Sequence, residues 1–327
     1  MKTALMVPRR AGTAPPNGEM EMDEKKMTPN LLKKRLTTAL QNFSGEVDWD
    51  APLAPYTSLK VGGPADVLLF PNSAADVILL MKTFSEHRLP YFILGNGSNL
   101  IVKDGGIEGA VLHLKHLNRI ERIDERQIFS ESGVSYPKLA LYAMEEGLSG
   151  LEFAAGIPGS VGGAVVMNAG IPDAETAQIL TSVTLVTASG STRRLSAQDL
   201  TFSYRKTTLP EGVILSAVFD LTKAPADAIE AKMKQFLKRR QLTQPLQFPN
   251  CGSVFKNPPN HAAGALIEAA GLKGFRTGNA EISGRHGNFI VNLGGATAAD
   301  CLALIAKMQN TVAHLQGITL ELEVKVV

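Results

Sequence analysis

Residues 91–106 read YFILGNGSNLIVKDGG, a short apolar run that breaks at Gly95, Asn96, Gly97, Ser98 and Asn99 and resumes at Leu100, Ile101 and Val102. Two glycines one residue apart after a strand are how a Rossmann fold lets backbone approach a pyrophosphate. The details refuse that fold. Its third glycine would fall at position 100, which is Leu100, and the residues that follow favour a strand over a helix. A phosphate at this loop would be held by backbone amides and the Ser98 and Asn99 side chains, without a helix terminus. A tight turn between two buried strands writes the same letters, so the loop alone decides nothing.

The chain has 327 residues, 44% of them hydrophobic, enough for two or three cores. A formal net charge of +2 argues against nucleic acid or an anionic membrane as main partner, while leaving room for a local basic pocket. Cys251 and Cys301 form neither a disulfide framework nor a CxxC pair, which fits a reducing cytoplasm. No stretch approaches the roughly 18 apolar residues of a membrane helix. Arg9 and Arg10 have no apolar run behind them, so no secretory signal is expected. Residues 1–30 mix Pro, Gly, Met and charge without period and read as a disordered tail, or as a mis-assigned start ahead of a later methionine.

The ordered part is expected to begin with a helix over Leu31–Phe43. Val67–Phe70 reads as a strand, Ser73 with Asp76 caps a helix running to His87, and Tyr91–Leu94 is the next strand. Ser135 and Pro137 open a helix that Gly147 closes, and Val183–Ala188 with Thr192–Leu195 forms a hairpin about Ser189-Gly190. Residues 31–223 thus form an α+β domain with mixed sheets. From Pro225 the texture changes: helices over Ala226–Gln241, Ala262–Ala270 and Thr297–Leu315, and a strand at Phe289–Leu293, describe a smaller α+β domain over 224–327.

A second glycine-rich segment, FAAGIPGSVGGAVVMNAG at 153–170, demands tight turns or close approach of another group to the backbone. No GKS or GKT follows, so it is not a Walker loop. Two such loops of unfamiliar type suit an extended phosphate-bearing cofactor between two subdomains; turns with no ligand are the alternative. Outside them, Arg205 in FSYRKT could pair with a carboxylate, where a solvated arginine is the plainer reading. Ser253 in NCGSVFKNP could act chemically or simply end a strand. In GITLELEVKVV, alternation puts Thr319, Glu321, Glu323 and Lys325 on one face, ordinarily a solvated one. His286, between glycines and Arg285, is the best placed of the six histidines, and an ordinary surface-loop histidine is the competing reading. There is no GxSxG elbow, no HExxH and no metal-ligand spacing, so neither a hydrolase triad nor a metal site is expected. Nothing in the spacing supports a Cys251–His286 pair.

Read in order, YTSLKVGGPAD, ILGNGSNLIVKDGG, GLEFAAGIPGSVGGAVVMNAG, FSYRKT, RRQLTQPLQFPNCGSVFKNP, ALIEAAGLKG, RHGNFIVN and LELEVKV resemble the UDP-N-acetylenolpyruvoylglucosamine reductase family. These are flavoenzymes that make UDP-N-acetylmuramic acid for bacterial peptidoglycan. The resemblance runs from about Leu31 to the end. It implies an FAD-binding domain of the vanillyl-alcohol-oxidase-like (PCMH) type in two subdomains, and a substrate-binding domain whose last strand, 318–327, reaches the active site. Gly95, Asn96, Gly97, Ser98 and Asn99, with Gly156, Pro158, Gly159, Gly162, Gly163 and Asn168, would hold FAD. NADPH would be the co-substrate and UDP-N-acetylglucosamine enolpyruvate the substrate. By the same resemblance Ser253 donates the proton to C2, Arg205 and Glu323 flank the substrate carboxylate with Glu321 as fallback, and Tyr204, Lys256 and Asn257 bind substrate. A cytoplasmic monomer without nucleic-acid or membrane partners is expected.

The chain departs from the family pattern in places. Asn250-Cys251 precedes Gly252 where a small residue is commoner, Gly284-Arg285-His286-Gly287 replaces Glu-Lys-His-Ala, and NAGIPDAET lacks the Gly-Ala-Tyr-Gly sequel. No insertion carries the tyrosine loop of longer members, which marks the shorter subclass. A flavin oxidase of the same cofactor fold is the rival enzyme, and a sugar-nucleotide binding protein without turnover is the rival from another class.

Overall fold

The computed structural model describes residues 28–327; of the tail expected over 1–30, residues 1–27 lie outside the described residues, while Thr28 caps the first helix and Pro29 and Asn30 belong to it. Helix α1 spans Pro29–Gln41, two residues earlier than expected at its start. The reason is local: Thr28 accepts from Leu31 N and Pro29 is preset for the first helical turn.

A four-stranded sheet, order β1-β2-β5-β3, carries the first region: β1 (Glu46–Pro52), β2 (Pro64–Phe70), β3 (Tyr91–Leu94) and β5 (Ile107–His113). β1 runs antiparallel to β2, while β2, β5 and β3 are mutually parallel. Helix α2 (Ala74–His87) packs Val77, Leu80, Met81 and Phe84 onto it, with Leu32 and Leu36 of α1 in the same core. Each such side chain contributes roughly 1.5–3 kcal/mol when fully buried.

The second unit is a five-stranded antiparallel sheet, order β12-β11-β15-β7-β6. Its strands are β6 (Ile120–Arg122), β7 (Gln127–Glu131), β11 (Leu180–Thr187), β12 (Thr192–Ser196) and β15 (Gly212–Asp220). The β11–β12 hairpin turns where Ser189-Gly190 lies, with Val186 opposite Thr192. Helices α3 (Tyr136–Glu145) and α4 (Val161–Val166) cover it. Three small pairs complete it: β8 (Leu148–Ser149) with β16 (Thr222–Lys223), β9 (Gly170–Ile171) with β10 (Ala174–Glu175), and β13 (Thr201–Ser203) with β14 (Lys206–Thr208). Helix α5 (Ala226–Thr243) buries Ile229 and Met233 in this same core, so packing does not change at the expected boundary of residue 224. By its contacts α5 belongs with what precedes it.

The remaining core gathers α6 (Ala263–Ala269), α7 (Ala298–Gln316) and the small sheet of β17 (Arg276–Thr277), β18 (Ala280–Ile282) and β19 (Ile290–Asn292). Leu59, Val61 and Ile101 insert from the first region. Asp104 reaches the same place, accepting from Ala298 N and Ala299 N at 2.8 and 2.9 Å and so capping α7 from another part of the chain.

The terminal strand is much shorter than expected. Only β20 (Lys325–Val326) is regular, and it pairs parallel with β4 (Leu100–Ile101). The stretch before it makes one isolated bridge, Leu322 to Phe255, flanked by backbone bonds from Lys256 N–H to Glu321 O and from Glu323 N–H and Val324 N–H to Val254 O. The alternation of apolar residues there is real, but this pairing is too short to make a regular strand.

Candidate active site

β3 and β4 belong to different sheets, so the Gly95–Asn99 loop is not the turn of a hairpin. It crosses from one sheet to the other against the Tyr56–Lys60 segment. Gly97 sits at φ +59°, and a Cβ there would lie 2.3 Å from the Tyr56 carbonyl oxygen. Ser58 N–H donates to Gly97 O at 3.0 Å and fixes the loop. Among the described residues no acceptor meets the backbone N–H groups of Gly95 to Asn99. A run of unpaired amides is a cradle for an anion.

The second glycine segment faces the first. Ser98 Oγ donates to Pro158 O at 3.0 Å, and a Cβ on Gly159, at φ +138°, would come within 3.1 Å of that hydroxyl. A Cβ on Gly95 would stand 2.6 Å from Ser160 Oγ, which itself caps α4 by accepting from Gly163 N at 3.3 Å. Space survives between the segments because side chains are missing from both. That space is a cavity of about 940 Å³ lined by Gly95 to Asn99, Pro158, Gly159, Gly162 and Gly163. Its size is at the upper end for small-molecule sites, roughly 300–1,000 Å³, and its donor-lined, side-chain-free waist fits a pyrophosphate.

At one end the lining turns polar. β13 and β14 pair through Ser203 and Lys206, which leaves Tyr204 and Arg205 as the turn, with Arg205 at φ +59°. A non-glycine residue there is strained, as residues at functional sites often are. Arg205 Nε donates to Glu323 Oε1 at 3.1 Å, and the two side chains are only 20% and 16% exposed. Burial raises the Glu323 carboxyl above the usual 4.5, outweighing the nearby Arg205 and Lys256 charges. Glu323 N–H donates to Val254 O at 2.9 Å, so the Ser253 and Glu323 segments run side by side at the cavity wall. Asn99 ties the glycine loop to them: its Nδ2 donates to Glu323 O at 3.1 Å, and its own carbonyl accepts from Lys325 N at 3.1 Å.

Other expected residues stand elsewhere. Gly156 and Asn168 are not on the cavity wall. Asn168 is fully buried, donating to Ser203 O at 3.3 Å and accepting from Ala177 N at 2.9 Å, so it braces the turn that carries Arg205. Tyr204 is 47% exposed with its ring against the Arg205 guanidinium. Lys256 pairs with Glu321, which is 72% exposed, so the two glutamates hold different partners. Asn257 Oδ1 accepts from Ala263 N at 3.0 Å at the start of α6. His286 is half-buried, packs on Phe289 and accepts from Asn288 N at 3.2 Å through Nδ1, away from the cavity. Cys251 does line the cavity, yet burial pushes its thiol up to about 12, which leaves no thiolate nucleophile near neutral pH. Cys251, Lys325 and the brace made by Asn99 were not legible beforehand, because each depends on a contact far along the chain.

An arginine paired with a buried carboxylate beside a serine, at the end of an anion-cradling cavity, can hold an acid substrate and stabilise negative charge developing next to it. Residues 65–196 match the FAD binding domain family, and residues 244–327 match the family described as UDP-N-acetylenolpyruvoylglucosamine reductase, C-terminal domain. The UDP-N-acetylenolpyruvoylglucosamine reductase of Listeria monocytogenes serotype 4a (strain HCC23) is 45% identical over 278 residues, covering 84% of this chain and 93% of that protein. UDP-N-acetylenolpyruvoylglucosamine reductase 2 of Symbiobacterium thermophilum is 43% identical over 297 residues, 90% of this chain and 96% of the relative. The crystal structure of the reductase from Thermus caldophilus superposes with a TM-score of 0.74 at 37% identity, covering 86% of this chain and 98% of that one. The chain belongs to the UDP-N-acetylenolpyruvoylglucosamine reductase family and is an FAD-containing oxidoreductase.

Proposed function

We propose that the protein reduces the enolpyruvyl ether of UDP-N-acetylglucosamine enolpyruvate to UDP-N-acetylmuramate, with NADPH as reductant, in peptidoglycan precursor synthesis. The single observation that carries this reading is the Arg205–Glu323 pair beside Ser253 at the end of a cavity lined by both glycine segments. The chemistry FAD supplies when bound is hydride transfer, in from NADPH and out to C3 of the enolpyruvyl group. Arg205 receives the substrate carboxylate, onto which the electron pair left at C2 is delocalised; without a cation there the addition has no sink. Ser253 is the proton source for C2: a hydroxyl is a weak acid, but acidic enough toward a carbanion-like centre within hydrogen-bond reach. Glu323, held by Arg205 and Asn99, orients the guanidinium. Tyr204, Lys256 and Asn257, which stand off the cavity wall, would have to reach the sugar nucleotide from outside it, and Gly95 to Asn99 with Pro158 to Gly163 hold the pyrophosphate. The enzyme works in this reading as a cytoplasmic monomer.

The test is spectroscopic. Purified protein saturated with FAD is bleached anaerobically with NADPH and then given UDP-N-acetylglucosamine enolpyruvate. Return of the oxidised flavin spectrum with one product per flavin is expected. Reoxidation only when oxygen is admitted would instead assign an oxidase, and failure to retain FAD would sink both.

A further inference from the structure

A smaller cavity of about 250 Å³ lies beside the glycine loop, against the Tyr56–Lys60 turn; Ser58, Lys60, Asn96 and His113 are in its wall. His113 ends β5, is 8% exposed, and its Nδ1 has no hydrogen-bond partner among the described residues. A buried polar nitrogen left unpaired is costly and calls for a partner. Burial, with the charges of Lys115 and His116 nearby, pushes the imidazole down to about 4, so near neutral pH it is an uncharged ring that can still donate. Tyr56 and Phe70 hold it in place, each with its ring centre 5.5 Å away.

The other groups in the wall are donors too. The Ser58 hydroxyl and the Asn96 amide have no partner among the described residues, and no carboxylate lines the cavity. Lys60 supplies the cation. Its backbone stands at φ +59°, held by Lys60 N–H to Thr57 O at 3.2 Å, and Thr57 is pinned in turn by donating to Val61 O at 2.9 Å. Its ammonium rests on the Pro55 carbonyl at 2.7 Å, a neutral partner that an anion would outcompete.

We propose that this cavity is a second anion site, taking an oxyanion of phosphate size on Lys60, Ser58, Asn96 and His113 Nδ1. It shares a wall with the pyrophosphate cradle, because Asn96 belongs to both and Ser58 N–H donates to Gly97 O. An occupant therefore clamps the loop from the side opposite the cofactor.

The experiment uses full-length protein saturated with FAD, so that the first cradle is filled. Equilibrium dialysis with radiolabelled inorganic phosphate, and in parallel with AMP, reads the site. One saturable phosphate per chain is expected, weakened at least tenfold by Lys60→Met and by Ser58→Ala; both positions are accessible enough to tolerate the change. His113→Phe should give the same loss with an unchanged flavin spectrum. Tighter binding of AMP than of phosphate assigns the oxyanion to a nucleotide, and equal binding assigns it to the free ion. Absence of saturable binding of either, or an affinity that Lys60→Met and Ser58→Ala leave untouched, overturns the site.

Discussion

Ser253 and Gly97 show how differently single residues carry this site. In the proposed function Ser253 is a proton source, so with alanine in its place flavin reduction by NADPH should survive while product formation falls by about 2–4 kcal/mol of barrier, roughly 30- to 1,000-fold. Separate stopped-flow traces of the two half-reactions check this; equal loss in both would point to damaged flavin binding. Gly97→Ala acts on shape. A methyl 2.3 Å from the Tyr56 carbonyl, at φ +59°, has to displace the loop, and the flavin-to-protein absorbance ratio should fall well below that of the wild type. Gly97 was legible as a place of close backbone approach. That Glu321 and Glu323 part company was not: both lie on one face of an alternating stretch, and only the Lys256 and Arg205 partners, distant in sequence, separate them.

At the scale of elements, the capped helices were the most legible parts, since a cap is a contact between residues three apart. Ser73 accepts from Asp76 N at 3.2 Å as the sequence implies. The fuller picture needed the fold. Burial raises the Asp76 carboxyl, but the Ser44 N–H and hydroxyl, Asn72 N–H and the Ser73 hydroxyl together bring it below 3.8. Since the folded value lies below the unfolded one, this group stabilises the protein above about pH 3.8 and ceases to do so as pH falls through the folded value. Asp76→Asn is therefore expected to cost about 3–6 kcal/mol at pH 7, the value of two hydrogen bonds to a charge. Urea denaturation at pH 7 and at pH 3 tests the sign, because the difference from wild type should shrink at the lower pH. Strand pairing was less legible: β3 and β4 flank one loop yet join different sheets, a choice made by partners outside the stretch.

For the whole molecule, the terminal segment matters beyond its length. Val327 N–H donates to Ile101 O at 3.0 Å, Lys103 N–H to Val327 O at 2.7 Å and Lys325 N–H to Asn99 O at 3.1 Å, so three backbone bonds join it to the glycine loop and β4. Removing residues 325–327 should release FAD on gel filtration while the five-stranded sheet, which makes no such bond, keeps its circular dichroism. The border expected at residue 224 was not legible in the sequence's change of texture, because α5 reads as a helix of the part that follows and packs with the part before it. The brace from Asn99 to Glu323 spans 224 residues. Contacts that distant close late in folding, after local hairpins and helices have formed. A chain grown only as far as Arg205 thus already owns both glycine segments and the Ser98–Pro158 contact between them, but lacks Glu323 and the bonds from the terminal segment. The two glycine segments are made long before the residues that close the polar end of their cavity, and the last residues of the chain complete it.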